Sequence, residues 1–152
     1  MNPAWFDAGL STAHFLCVLI LAGALAGELF LLRLPPSGDL VRALARADLI
    51  YGIAAGPLIL AGLARIYFGL KDASFYWASH AFWGKMAVFA VIGVLSIQPT
   101  RKILAWRKAL KADPAFAPSE GEVRSLRRVV TIETHLLALV VVFAALMARG
   151  LG

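Results

Sequence analysis

Four stretches of this chain are long, apolar and almost free of charge, and that constrains the fold more than any other feature. The first runs over about residues 8–34 and is broken only by His14 and Glu28 before Arg33 at its end. The others cover about 47–70, 79–98 and 129–148. About 20 residues of helix, at about 1.5 Å each, cross the hydrocarbon core of a bilayer. A soluble domain carries roughly 45–50% apolar residues; here 61% are hydrophobic and the mean hydropathy is +0.78. The chain therefore reads as one integral membrane domain in contact with the lipid bilayer. Strand-like alternation is absent, so the expected class is all-α, an antiparallel up-and-down bundle of four transmembrane helices.

Local signals mark the helix ends. Asn2-Pro3 suits an N-cap and first helical residue, and Pro35-Pro36 stops the first span. Gly52, Gly56, Pro57 and Gly62 give the second span a small face suited to close helix approach. Lys71–Ser74 reads as a short connection. Beyond Pro99, residues 100–128 form a basic extension whose first part, RKILAWRKALKA, is amphipathic and suited to lying at the headgroups. Ser119-Glu120-Gly121-Glu122 has the form of a capping box, which starts the last helix.

A net charge of +6 could point to nucleic acid, but the basic residues collect in two loops on one side of the spans. Arg42, Arg46, Arg101, Lys102, Arg107, Lys108, Lys111, Arg124, Arg127 and Arg128 lie there; the other side has little beyond Lys71 and Arg149. This is a topology signal, not a nucleic-acid surface. By the positive-inside rule it predicts an inner-membrane protein with both termini outside the cytoplasm. The region before Ala24-Leu25-Ala26 lacks Lys and Arg and carries Asp7, which is wrong for a signal peptide. The single cysteine, Cys17, excludes an intramolecular disulfide and reads as a small buried apolar residue.

Ionisable residues inside spans are expensive and mark function. His14, Arg65 and Lys85 lie at a common depth of roughly 7–10 Å from the outer helix ends, at about 1.5 Å per residue. They form one expected cluster. Glu28, Asp48 and Tyr51 form another towards the inner side. Glu133 and His135 are about 200° apart on the last helix, at about 100° per residue, and cannot face one point. Plain readings stand beside these. Arg65 and Lys85 can snorkel, Glu28 and Asp48 can pair with Arg33 or Arg46, and His80 suits the interface among Phe75, Tyr76, Trp77, Phe82 and Trp83.

The sharper reading of the outer cluster is a porphyrin site. A haem between helices needs an axial histidine on iron, flat or small apolar neighbours, and cations for two propionates. His14 would be the metal ligand, Arg65 and Lys85 the propionate partners, and Glu133 or His135 a second-site candidate. Nothing like C-x-x-C-H fixes the cofactor.

The segments AHFLCVLILAGALAGELFLLR, RADLIYGIAAGPLILAGLARIYFG, FYWASHAFWGKMAVFAVIGVLSIQPTRKI and AALMARGLG resemble a domain-of-unknown-function family of small predicted bacterial membrane proteins, over nearly the whole chain. More distantly, the pattern is similar to HemJ-type protoporphyrinogen oxidase and CopD-like membrane proteins. The similarity rests on His14, on Tyr51 with Gly56-Pro57, on Trp83 with Lys85, and on Glu133. It implies a b-type haem or redox role. The chain departs from the oxidase pattern at Gly84, where the oxidase has histidine, and at Arg46, displaced from its position ahead of the tyrosine. The oxidase activity is therefore not carried over.

The expectation is an inner-membrane protein binding haem b or a related porphyrin for electron transfer near the outer leaflet, alone, as a homo-oligomer or with a membrane redox partner. The alternatives are a non-enzymatic accessory or binding protein whose buried charges pair with one another, and part of an oligomeric transporter.

Overall fold

Four serines and aspartates at loop ends set where the helices begin. The computed structural model describes residues 3–151; Asn2, the expected first cap, lies outside them. Helix α1 (Pro3–Leu31) opens at Pro3 and ends in a turn before Pro35-Pro36. Helix α2 (Gly38–Phe68) is capped by Ser37, whose hydroxyl accepts from Leu40 N–H at 3.1 Å. A one-turn helix, α3 (Ala73–Trp77), is capped by Asp72. The Ser79 hydroxyl accepts from Phe82 N–H at 3.2 Å and starts α4 (His80–Ala112). Helix α5 (Glu120–Ala148) opens with a formed capping box: Glu122 N–H donates to the Ser119 hydroxyl and Ser119 N–H to the Glu122 carboxylate. Each such cap satisfies N–H groups that the first helical turn leaves without partners.

Helices α1, α2, α4 and α5 are each long and apolar enough to cross a membrane. Their outer surfaces carry Leu19, Leu60, Val94 and Val141, as a lipid-facing exterior requires. Successive long helices run in opposite directions, giving the up-and-down bundle. It consists of two hairpins, α1–α2 and α4–α5, leaning on each other. One end of the bundle holds the start of α1, the end of α5 and α3, and is called the termini end; the other, the basic end, holds the 32–37 and 113–119 loops.

The packed core fills the basic end. Leu40, Val41 and Leu44 of α2 meet Ile103, Trp106 and Leu110 of α4 and Val123, Leu126 and Val130 of α5. Helix α4 continues without a break through Pro99, so its part from Thr100 to Ala112 is packed in the bundle and does not form a separate helix. The apolar stripe of RKILAWRKALKA is taken up by α2 and α5. Its basic residues remain exposed, with Lys102 paired to Glu122 at 2.5 Å.

At the termini end, α3 folds aromatic rings over the bundle. Tyr76 is buried with Ile66 and Phe82; Phe82, Trp77 and Trp83 make edge-on contacts at 5.6–5.7 Å between ring centres. The Trp83 indole N–H donates to the Trp77 carbonyl at 3.1 Å. The sequence reads as a short connection over Lys71–Ser74 followed by interfacial rings, because a single helical turn has no periodicity of its own. Its amphipathic rings also suit an interface. His80 is exposed beside it.

Gly52 and Gly56 face away from the bundle, with no atom within 4 Å of a built Cβ. The small face of α2 is therefore not used in packing this chain against itself. Close approach occurs instead at Gly84, where a Cβ would lie 2.7 Å from Phe143 Cε1 of α5.

Candidate functional site

Between the hairpins, at the termini end, the helices enclose a cavity of about 310 Å³. Such a volume is at the lower end of the roughly 300–1,000 Å³ usual for small-molecule sites. Its walls are apolar: Val18 and Leu21 from α1, Leu58 and Leu63 from α2, Phe89 from α4, Leu137 from α5. Tyr76 and Phe82 close its upper side. Ile59, Leu63 and Met86 line it and are also exposed on the outside of the bundle, so the cavity opens sideways.

Three basic side chains converge in this apolar space: His14 from α1, Arg65 from α2 and Lys85 from α4. The His14 ring is within electrostatic reach of both cations and lies beside the Leu58 carbonyl. Its Nδ1 is buried without a hydrogen-bond partner, as is Arg65 Nε. Arg65 lies over the Phe15 ring at 5.8 Å and Lys85 over the Phe82 ring at 5.5 Å. Rings offer weak compensation compared with a carboxylate. No Asp or Glu lines the cavity, and among the described residues neither ion pair involves Arg65 or Lys85. Gly62 makes room for the imidazole: a Cβ there would sit 3.5 Å from His14 Cε1.

A second polar group lies deeper, towards the basic end, and every long helix contributes to it. Glu28 comes from α1, Asp48 and Tyr51 from α2, Thr100 from α4, Glu133 from α5. The Thr100 hydroxyl donates to Asp48 Oδ1 at 2.6 Å. Glu28 and Glu133 are 2% and 1% exposed, and each leaves Oε1 without a hydrogen-bond partner. Leu21, Leu25 and Leu58, all buried, lie between this group and the basic cavity.

One comparison places the chain. It belongs to the family described as predicted membrane protein (DUF2214), which matches residues 6–152. No curated protein and no solved structure matches it significantly. What this family member does must therefore be argued from its own side chains.

The structure brings together His14, Arg65 and Lys85, and separates the other two residues singled out from the sequence. Glu133 turns into the buried acidic group. His135 is exposed on the opposite side of α5, where its Nδ1 sits 2.7 Å from the Thr131 carbonyl. Among the described residues no cluster of three His, Cys, Asp or Glu side chains converges closely enough to hold a metal ion, so a metal in the cavity would have His14 as its histidine ligand. Sequence reasoning missed Tyr76, Met86 and Thr100. Tyr76 enters through the α3 turn, and Thr100 meets Asp48 across two helices, neither of which leaves a periodic trace.

Proposed function

We propose that this membrane protein binds an amphiphilic anion in the cavity, with b-type haem or a related porphyrin as the ligand that uses all three basic residues. The observation that carries this reading is the pair of uncompensated cations, Arg65 and Lys85, in an apolar space that holds no acid. A buried cation without a partner is costly. A ligand with an apolar body and carboxylates at one edge supplies both missing elements. Arg65 and Lys85 pair with the carboxylates, while Leu21, Leu58 and Phe89 cover the body. The lateral opening suits entry from the lipid.

His14 narrows the class. An imidazole that lines an apolar cavity with its Nδ1 buried and unpartnered is disposed to ligate. The donor set therefore fits a haem held by one histidine, with Arg65 and Lys85 on its propionates. A haem held there would supply one-electron redox chemistry. The chain's own contribution is to hold the carboxylates, orient the ring edge and exclude water by means of Tyr76 and Phe82. Glu133 and His135 lie outside the cavity lining and have no part in this site.

The positive-inside distribution supports an orientation in which the basic end faces the cytoplasm of an inner membrane; the cavity would then lie in the outer half of the bilayer. A homo-oligomer would use the outward Gly52–Gly56 face of α2, and electron transfer would call for a membrane redox partner. The alternative of buried charges that neutralise one another has no support at this site, because the cations and the acids are in separate groups.

Native mass spectrometry of protein extracted from its own membranes tests the reading. A bound low-mass anion should accompany the wild type and be lost from an Arg65→Met, Lys85→Met double variant that still inserts and folds. Retention of the same adduct by the double variant would overturn the assignment.

A further inference from the structure

The buried acidic group has a different requirement from the cavity. Glu28, Asp48 and Glu133 come from α1, α2 and α5 and lie within electrostatic reach of one another. Tyr51 of α2 faces all three. Helix α4 contributes only neutral groups: Thr100, on Asp48, and Ser96, beside the Tyr51 hydroxyl. Among the described residues no cation pairs with them. Arg33, the nearest in sequence to Glu28, is exposed and lies over the Phe30 ring. Arg46 is also exposed, and Lys102 is paired with Glu122.

Three acids near one another do not by themselves make a site. What calls for a ligand here is the state of Glu28 and Glu133. They are 2% and 1% exposed, and each leaves an oxygen without a hydrogen-bond donor among the described residues. Three carboxylates enclosed by helices in a bilayer cannot all be charged without a counterion. The choice is between a metal cation and protons. The side chains do not converge closely enough for a metal ion, whereas a proton needs only one oxygen and a neighbouring acceptor. A protonated carboxyl also gains a donor, which can serve an oxygen that now has none.

We infer that Glu28, Asp48 and Glu133 form a proton-binding node, in which Glu28 and Glu133 take up protons beside the Asp48 carboxylate at the interface of the two hairpins. One proton is exchanged at a time: a hydronium ion or a neighbouring protonated carboxyl gives up its O–H bond as one forms on a carboxylate oxygen, and each proton taken up from water lowers the negative charge of the node by one. Asp48, held by Thr100, is the member fixed in the anionic role. Glu28 and Glu133, with their free oxygens, are the proton carriers. The node is independent of the ligand in the basic cavity, from which Leu21, Leu25 and Leu58 separate it. Its position makes it a proton-loading site within the membrane, of the kind that couples proton uptake to another event in the protein.

Infrared spectroscopy of the purified protein in detergent tests this without relying on any activity. At neutral pH the wild type should show a carbonyl band of protonated carboxylic acid that shifts in deuterated water. The band should move when the protein is made with glutamate labelled at its side-chain carboxyl, because the other two glutamates, Glu120 and Glu122, lie towards the basic end in contact with solvent. It should be lost in a Glu28→Gln, Glu133→Gln double variant, whose amides imitate neutral carboxyls and preserve helix content. The labelled wild type keeps the test decisive even if that variant fails to fold. Three results would overturn the node: no acid band at neutral pH, a band indifferent to glutamate labelling, or a band that appears only after sodium and potassium are removed. The last would assign the site to a metal cation.

Discussion

The imidazole of His14 rests against Gly62, so closely that a Cβ on that glycine would lie 3.5 Å from Cε1. This is ordinary van der Waals contact, and it fixes how much side chain the site accepts. Gly62→Ala should fold and retain the cavity ligand. Gly62→Leu should displace the imidazole and fill the cavity, abolishing ligand retention while helix content by circular dichroism stays unchanged. Retention by the leucine variant would mean that the ligand lies elsewhere.

Lys85 and Arg65 share an apolar cavity without an acid, so the effect of removing one depends on the ligand. In ligand-free protein, Lys85→Met removes a buried like charge, and the melting temperature should stay equal or rise. In loaded protein the same change removes a charge-assisted hydrogen bond of about 1.5–3 kcal/mol, a loss of roughly tenfold to a hundredfold in affinity. Thermal unfolding with and without ligand reads both signs. A lower melting temperature in the ligand-free variant would indicate an internal partner for Lys85.

Gly84 is a point of close approach between α4 and α5. Its Cβ position lies 2.7 Å from Phe143 Cε1, so Gly84→Ala forces the ring to move and should cost about 1–3 kcal/mol. Adding Phe143→Leu should recover most of it, which a double-mutant cycle of unfolding free energies would register.

Much of the fold follows from length and hydropathy, because a span of some 20 apolar residues has few alternatives in a bilayer. Ser119 and Glu122 are legible as a cap because capping is local. His14, Arg65 and Lys85 can be grouped from depth alone, since rise per residue is fixed. Glu133 cannot be placed this way. Depth along α5 does not say which way its side chain faces, and only the packing of α5 against α4 and α1 turns it towards Glu28 and Asp48. The course of α4 beyond Pro99 was obscured for a related reason: an apolar stripe flanked by lysines suits a membrane surface and a helical partner equally well.

The arrangement of basic residues predicts topology. A reporter active only in the periplasm should be active after Gly152 and inactive when inserted at Ala115, in the exposed loop before α5. The reverse pattern would place the cavity in the cytoplasmic half of the membrane.

The most direct measurement of the central claim is an absorption spectrum of the purified protein titrated with haem, oxidised and then reduced. A saturable shift of the Soret band that changes on reduction is predicted for the wild type. In His14→Ala the shift should be absent or reduced at least tenfold in affinity, and in His135→Ala it should be intact, since His135 is outside the cavity. A wild-type spectrum that remains that of free haem, or an equal response from His14→Ala, would contradict the account.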